Sequence, residues 1–226
     1  MRKLFKNKYA RITSIVCLIS VIAIVVNMVF IMFKPTGDDD VLSNKPNAIS
    51  NDMYASPSNM TKYQESLFKD LSELVKNYDF KAQAVDDQKN LDITSSLIKN
   101  FIADFYTWTN KSSTYSVGGQ MFVYGDSVIP FQNHVRDTYY KDLDGYIAQY
   151  GRKNLPEVDN IDAATVFSGT YKIGDKEYTS YYGEAHWTYK ESEVSTSGWQ
   201  NGAIFHIIYN DAYNKFEIVQ ILDLAN

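Results

Sequence analysis

Cysteine is nearly absent from this 226-residue chain: the single one, Cys17, lies inside a long apolar run. Everything beyond that run therefore has no disulfide and no thiolate metal site, and must be held by its own core. Histidine is scarce too, with three residues and no HExxH pair, and no acidic set has the spacing of a calcium loop. No GxSxG elbow and no phosphate-binding glycine loop occurs. Beyond residue 34 cations are short as well, 16 against 27 anions. That net charge of −11 repels phosphate backbones, so direct nucleic-acid binding by this part is disfavoured. Proline is sparse, and three of the five fall at positions 35, 46 and 57.

What the chain does have is a run of 22 residues without a charge, 12–33. As a helix it spans about 33 Å, the thickness of a bilayer's hydrocarbon core. Arg2, Lys3, Lys6, Lys8 and Arg11 precede it; Lys34 follows, then Asp38, Asp39 and Asp40. That asymmetry predicts a cytoplasmic tail over 1–11 and an extracytoplasmic remainder. A cleaved signal peptide would have a shorter apolar core and a small-residue cleavage site, whereas residues 29–33 are bulky. Val16 before Cys17 does not suit a lipoprotein anchor. The run is read as a transmembrane helix. Asn27 within it permits association with another helix.

Residues 34–60, rich in Pro, Ser, Asn and Asp, read as a flexible tether. Residues 61–226 read as one extracytoplasmic domain. Thr61 and Gln64 form a capping box ahead of Leu67, Leu71, Leu74, Val75 and Tyr78 at helical spacing. Asp92 is the expected N-cap of a second helix over 93–108, whose stripe includes Ile93, Leu97, Ile98, Phe101, Ile102, Phe105 and Trp108. Residues 120–124 read as a short strand and 132–150 as a third helix. After Pro156 the period falls to two, giving strands 165–172 and 177–190 around Gly174-Asp175, and 203–209 and 215–224 around Asn210-Asp211-Ala212. On the last strand Phe216, Ile218, Leu222 and Leu224 are expected on one face. The loop 191–198 is polar and reads as mobile. Helices followed by a four-stranded antiparallel meander define an α+β domain with helices packed on a curved sheet.

In this order of elements the chain resembles the nuclear transport factor 2-like fold, and more narrowly the single-span assembly components of type IV secretion and conjugation channels. The resemblance lies in the basic N-terminus, the span at 12–33, the tether, three helices and four strands, and it covers essentially the whole chain. It implies a cone-shaped, non-enzymatic membrane scaffold that associates with itself and with other channel subunits. No functional residue carries over by position.

The domain must still be weighed as an enzyme. His134, His186, His206, Glu184 and Asp104 are the side chains suited to acid–base work. His206 lies between Phe205 and Ile207, with Ile204 and Ile208 on its own face, which suits a partly buried histidine better than a base. His186 shares a face with Glu184 and Tyr182, as on a wet sheet surface. Leu155-Pro156-Glu157-Val158-Asp159 lacks the Thr-Gly pair of a wall-sorting signal, and the sequons at Asn59 and Asn110 matter only in a eukaryotic secretory host. Eighteen tyrosines supply area suited to protein interfaces or to half-exposed structural positions. The expectation is a structural subunit of a conjugative or secretion channel in a Gram-positive bacterium. It has no catalytic residue, no cofactor and no metal. The alternatives are a membrane-anchored small-molecule-binding or sensory domain, and a hydratase or isomerase. A polar-lined cavity would favour those; an interior filled by Phe101, Phe105, Trp108 and Trp187 would favour the scaffold.

Overall fold

The computed structural model describes residues 53–224. The expected span at 12–33, the tail before it and most of the tether lie outside the described residues. Among the described residues no helix is long and apolar enough to cross a membrane.

Helix α1 (Lys62–Val75) begins at the expected capping box: the Gln64 N–H bonds the Thr61 hydroxyl, and the Thr61 N–H bonds Gln64 Oε1 at 2.7 Å. Gln64 also donates to the Ala103 carbonyl at 2.7 Å and accepts from Asn110 at 2.9 Å, so one cap ties α1 to the end of the next helix. Helix α1 stops at Val75, three residues before Tyr78, because Asn77 takes the left-handed conformation.

Helix α2 (Gln88–Tyr106) starts ahead of the expected site. Its cap is Asp87, which accepts from the Lys89 N–H at 2.8 Å, whereas Asp92 lies inside the helix and accepts from Gln88. The extra first turn carries Asn90, fully buried, which takes the Tyr78 hydroxyl and donates to the Ala84 and Val85 carbonyls. A polar hub there breaks the apolar stripe that marks the rest of the helix. Residues 120–124 form no strand: Gln120–Phe122 is a 3-10 turn, and Val123 then makes one parallel bridge to Ile218.

The single helix expected over 132–150 is two, α3 (Val128–Asp137) and α4 (Leu143–Tyr150). The break lets the consecutive Tyr139 and Tyr140 both pack inward. Tyr140 is fully buried and its hydroxyl donates to the Phe105 carbonyl.

Four antiparallel strands follow in the order β1 (Val158–Ile173), β2 (Lys176–Tyr189), β3 (Gly202–Asn210) and β4 (Lys215–Asp223). β1 begins seven residues before the expected 165, because an irregularity at Asp159 upsets the alternation at its start. The β1–β2 turn is Gly174-Asp175 as read, with Gly174 at φ +59°. On β4 the expected face is corrected. Val219 is an extra residue between Ile218, opposite Ile207, and Gln220, opposite His206. Past this bulge Ile221 and Asp223 join Phe216 and Ile218 inward, while Leu222 and Leu224 turn outward.

Helix α2 lies on the inward face of β1 and β2, and α1 packs on α2. Gly183 permits this approach: a Cβ there would lie 2.3 Å from the Ile98 side chain. The fold is α+β, with helices packed on a four-stranded antiparallel sheet.

Candidate functional site

Of the side chains suited to chemistry, Asp104 is the most enclosed. The last turn of α2 points it into the core, where Oδ1 accepts from Lys111 Nζ at 2.6 Å and Oδ2 from the Gly119 N–H at 2.7 Å. Both members of the ion pair are buried. A Cβ on Gly118 would lie 2.2 Å from the Asp104 carbonyl oxygen and 2.8 Å from Lys111 Nζ, so only glycine lets the loop close this tightly. Burial, with the Asp104 charge adding to it, pushes the Tyr140 phenol well above its usual range. The Gly118 N–H reaches the same hydroxyl at 3.4 Å. Each carboxylate oxygen holds a donor supplied by the chain, so this pair is a clamp fastening residues 111–119 to α2. A catalytic acid or base needs reach to a substrate proton, and both Asp104 oxygens are turned to donors of the chain itself.

The histidines do not converge with it. His186 stands exposed on the outward face of β2, Nε2 at 3.1 Å from Glu184 Oε1, with Asp162 opposite it on β1. His206 lies on the outward face of β3 between the rings of Tyr171 and Tyr182, centroids 5.8 and 5.7 Å away, and burial lowers its pKa. His134 is half-buried in the last turn of α3, remote in the fold from both strands, and its carbonyl accepts from the Thr138 hydroxyl. Among the described residues no group of three or more His, Cys, Asp or Glu could hold a metal ion.

The inward side of the sheet is packed with aromatic rings. Phe101, Phe105, Trp108 and Trp187 are all buried in one apolar cluster. Phe101 stacks on Phe105 at 5.2 Å, Tyr106 lies 4.4 Å from Trp187, and Trp108 lies 4.7 Å from Trp199. The segment between β2 and β3, read as polar, contributes buried Val194 and packs Trp199 on this cluster. Gln200 accepts from the Tyr106 hydroxyl at 2.6 Å, and its carbonyl accepts from Tyr189, whose phenol burial pushes up to about 12. Two surface grooves, about 480 and 250 Å³, lie instead along α1 and α2, lined by residues such as Asp70, Glu73, Leu74 and Lys99.

A second buried carboxylate escaped the sequence reading. Glu217 has no solvent exposure; Lys215 Nζ lies 2.8 Å from Oε1 and Asn210 donates to Oε2 at 2.6 Å. Its neighbourhood on the outward face is a small cluster of Tyr178, Ile208 and Val219, roofed by Tyr124, Tyr171 and Ile173. Further along the same face Ile204, Leu222 and Tyr182 are half-buried and Val166 is 56% exposed. The signal was present in β3, where AIFHIIY is apolar on both faces, the pattern of a strand covered on both sides.

No protein-family model, curated protein or solved structure matches this chain.

Proposed function

We propose that this protein is a membrane-anchored scaffold: a structural subunit of a conjugative transfer or type IV secretion channel, working through protein contacts outside the membrane. In this reading the apolar run at 12–33 is the anchor, the α+β unit is a cone-shaped domain of the nuclear transport factor 2-like kind, and the partners are other channel subunits and further copies of the chain. The observation that carries the reading is the interior of the domain. Where a binding or catalytic domain of this shape keeps a polar-lined pocket, this one is filled by Phe101, Phe105, Trp108 and Trp187. Asp104 and Lys111, buried beside that interior, satisfy each other, and His186 and His206 stand on the outward face of the sheet. The acidic balance beyond residue 34 is compatible with protein partners and works against direct contact with the transferred nucleic acid.

The test has two parts. Protease added to wall-stripped intact cells should remove the domain and leave a membrane-embedded stub; protection until lysis would reverse the orientation. Removing residues 1–33 should abolish transfer while leaving the domain folded. Full transfer by the truncated protein would end the scaffold-at-the-membrane reading.

A further inference from the structure

The carboxylate of Glu217 holds two side chains that can react with each other. Asn210 and Lys215 are cross-strand partners at the end of the β3–β4 hairpin, so their side chains stand side by side on the outward face. Glu217, two residues along β4, shares that face. Asn210 Nδ2 donates to its Oε2 at 2.6 Å, and Lys215 Nζ lies 2.8 Å from its Oε1. The Nζ contact is short but off the axis of a hydrogen bond, so Oε1 is a buried acceptor with no hydrogen-bond donor among the described residues. Asn210 Oδ1 accepts from the Ala212 N–H at 3.2 Å. The site is shielded from solvent: Asn210 and Glu217 are buried, Tyr178, Ile208 and Val219 form the adjoining apolar cluster, and a Cβ on Gly125 would stand 4.0 Å from Oε1. Of the three, only Lys215 reaches the surface, its side chain 18% exposed.

We propose that Lys215 and Asn210 become joined by an intramolecular amide bond, with Glu217 as the acid and base of the reaction. A proton passes from Lys215 Nζ to the Glu217 carboxylate, leaving a neutral amine and a neutral carboxylic acid. The amine attacks Asn210 Cγ, and the negative charge that develops on Oδ1 is met by the Ala212 N–H. Glu217 then hands its proton to the departing Nδ2 and takes the surplus one from Nζ. The Cγ–Nδ2 bond breaks, the Cγ–Nζ bond forms, and ammonia leaves by the open Lys215 end. That ammonia takes the proton left on Glu217, so the net products are an amide and an ammonium ion, with nothing oxidised or reduced. Two obstacles oppose this bond in water: the amine is protonated and the carboxamide is a weak electrophile. Here one carboxylate removes and returns the protons while holding both partners, which makes the attack intramolecular. The consequence is structural. A domain without a cysteine gains a covalent tie at the root of its last strand, which is also an edge of the sheet.

The experiment is mass spectrometry of the full chain, folded and purified in detergent. The intact chain should be lighter than its 25.9 kDa sequence by one ammonia, about 17 Da. After denaturation and trypsin, residues 191–226 should appear as one peptide, uncut at Lys215, carrying that deficit and giving no fragments that separate 210 from 215. Lys215→Arg and Glu217→Gln should each return to the mass their own sequence dictates. A folded, unsubstituted chain at its full sequence mass, cut by trypsin at Lys215, would overturn the proposal. So would a deficit that persists in Lys215→Arg, the mark of a succinimide at an asparagine, or one that persists in Glu217→Gln. Should either variant lose its cooperative thermal transition, the unsubstituted chain still decides, since its mass and its cleavage at Lys215 need no variant.

Discussion

The two faces of the sheet differ in how their apolar side chains are covered. On the inward face Tyr181, Ala185, Trp187, Phe205 and Ile207 are buried beneath α2 and its aromatic neighbours. On the outward face only the Tyr178–Ile208–Val219 end is closed, and Val166, Tyr182, Ile204 and Leu222 stay half-open. The first pattern is what a single chain needs to fold; the second adds little to the core. Substitutions on the two faces should therefore differ in what they cost the folding of the chain.

The largest effect is expected on the inward side. Phe101→Ala removes a fully buried ring in contact with Phe105 and Phe205, and should cost about 3–5 kcal/mol in a denaturant titration of the domain, a large part of a total near ~5–15. A loss under ~1 kcal/mol would mean that the interior is loosely packed. Next comes the clamp. Lys111→Ala leaves the Asp104 carboxylate buried without its cation and should cost about 3–5 kcal/mol. Replacing both, Asp104→Leu with Lys111→Met, should cost less than the single change, and a double mutant worse than either would show that the charges do more than satisfy each other. The cap is smaller still: Thr61→Ala should cost about 1 kcal/mol, since one bond of the capping box is lost at a half-buried helix end. Outward substitutions such as Val166→Thr should stay within about 0.5 kcal/mol on the folding of the single chain.

The smallest effect is one of pH. Burial against Tyr171 and Tyr182 lowers the His206 pKa, so the neutral imidazole is the form the fold prefers. The unfolded chain then binds the extra proton first. The contribution of His206 is complete above pH ~6.5 and is lost as pH falls from there through its lower folded value. His206→Gln should flatten the pH dependence of the thermal midpoint over that window. An unchanged slope would assign the dependence to other groups.

Much of this arrangement was legible in the sequence. The change of period after Pro156 placed the meander, the Thr61–Gln64 spacing placed the start of α1, and Gly174-Asp175 placed the first hairpin turn. The failures have physical causes. In an unbroken helix over 132–150 the consecutive Tyr139 and Tyr140 would point about 100° apart, and both pack inward because they lie in the break between Asp137 and Leu143. The bulge at Val219 leaves no mark in an alternating pattern already apolar at most positions, so the outward turn of Leu222 was missed. The cap of α2 is Asp87 and not Asp92 as expected, because the first turn of the helix is built around a buried Asn90 rather than an apolar side chain. Of the candidate site residues, Asp104 was identified by type but its partner Lys111 was not. The pairing depends on the loop closing at Gly118 and Gly119, which no local spacing announces.

The most direct test of the scaffold account is the transfer frequency of donors carrying His134→Gln, His186→Gln and His206→Gln together, with the variant folded and present at the normal level. The account predicts a frequency within about threefold of the unsubstituted protein, because the interior is filled and none of these side chains meets a substrate. A stable, normally expressed triple variant that transfers nothing would contradict it and make one of the three histidines a participant in chemistry.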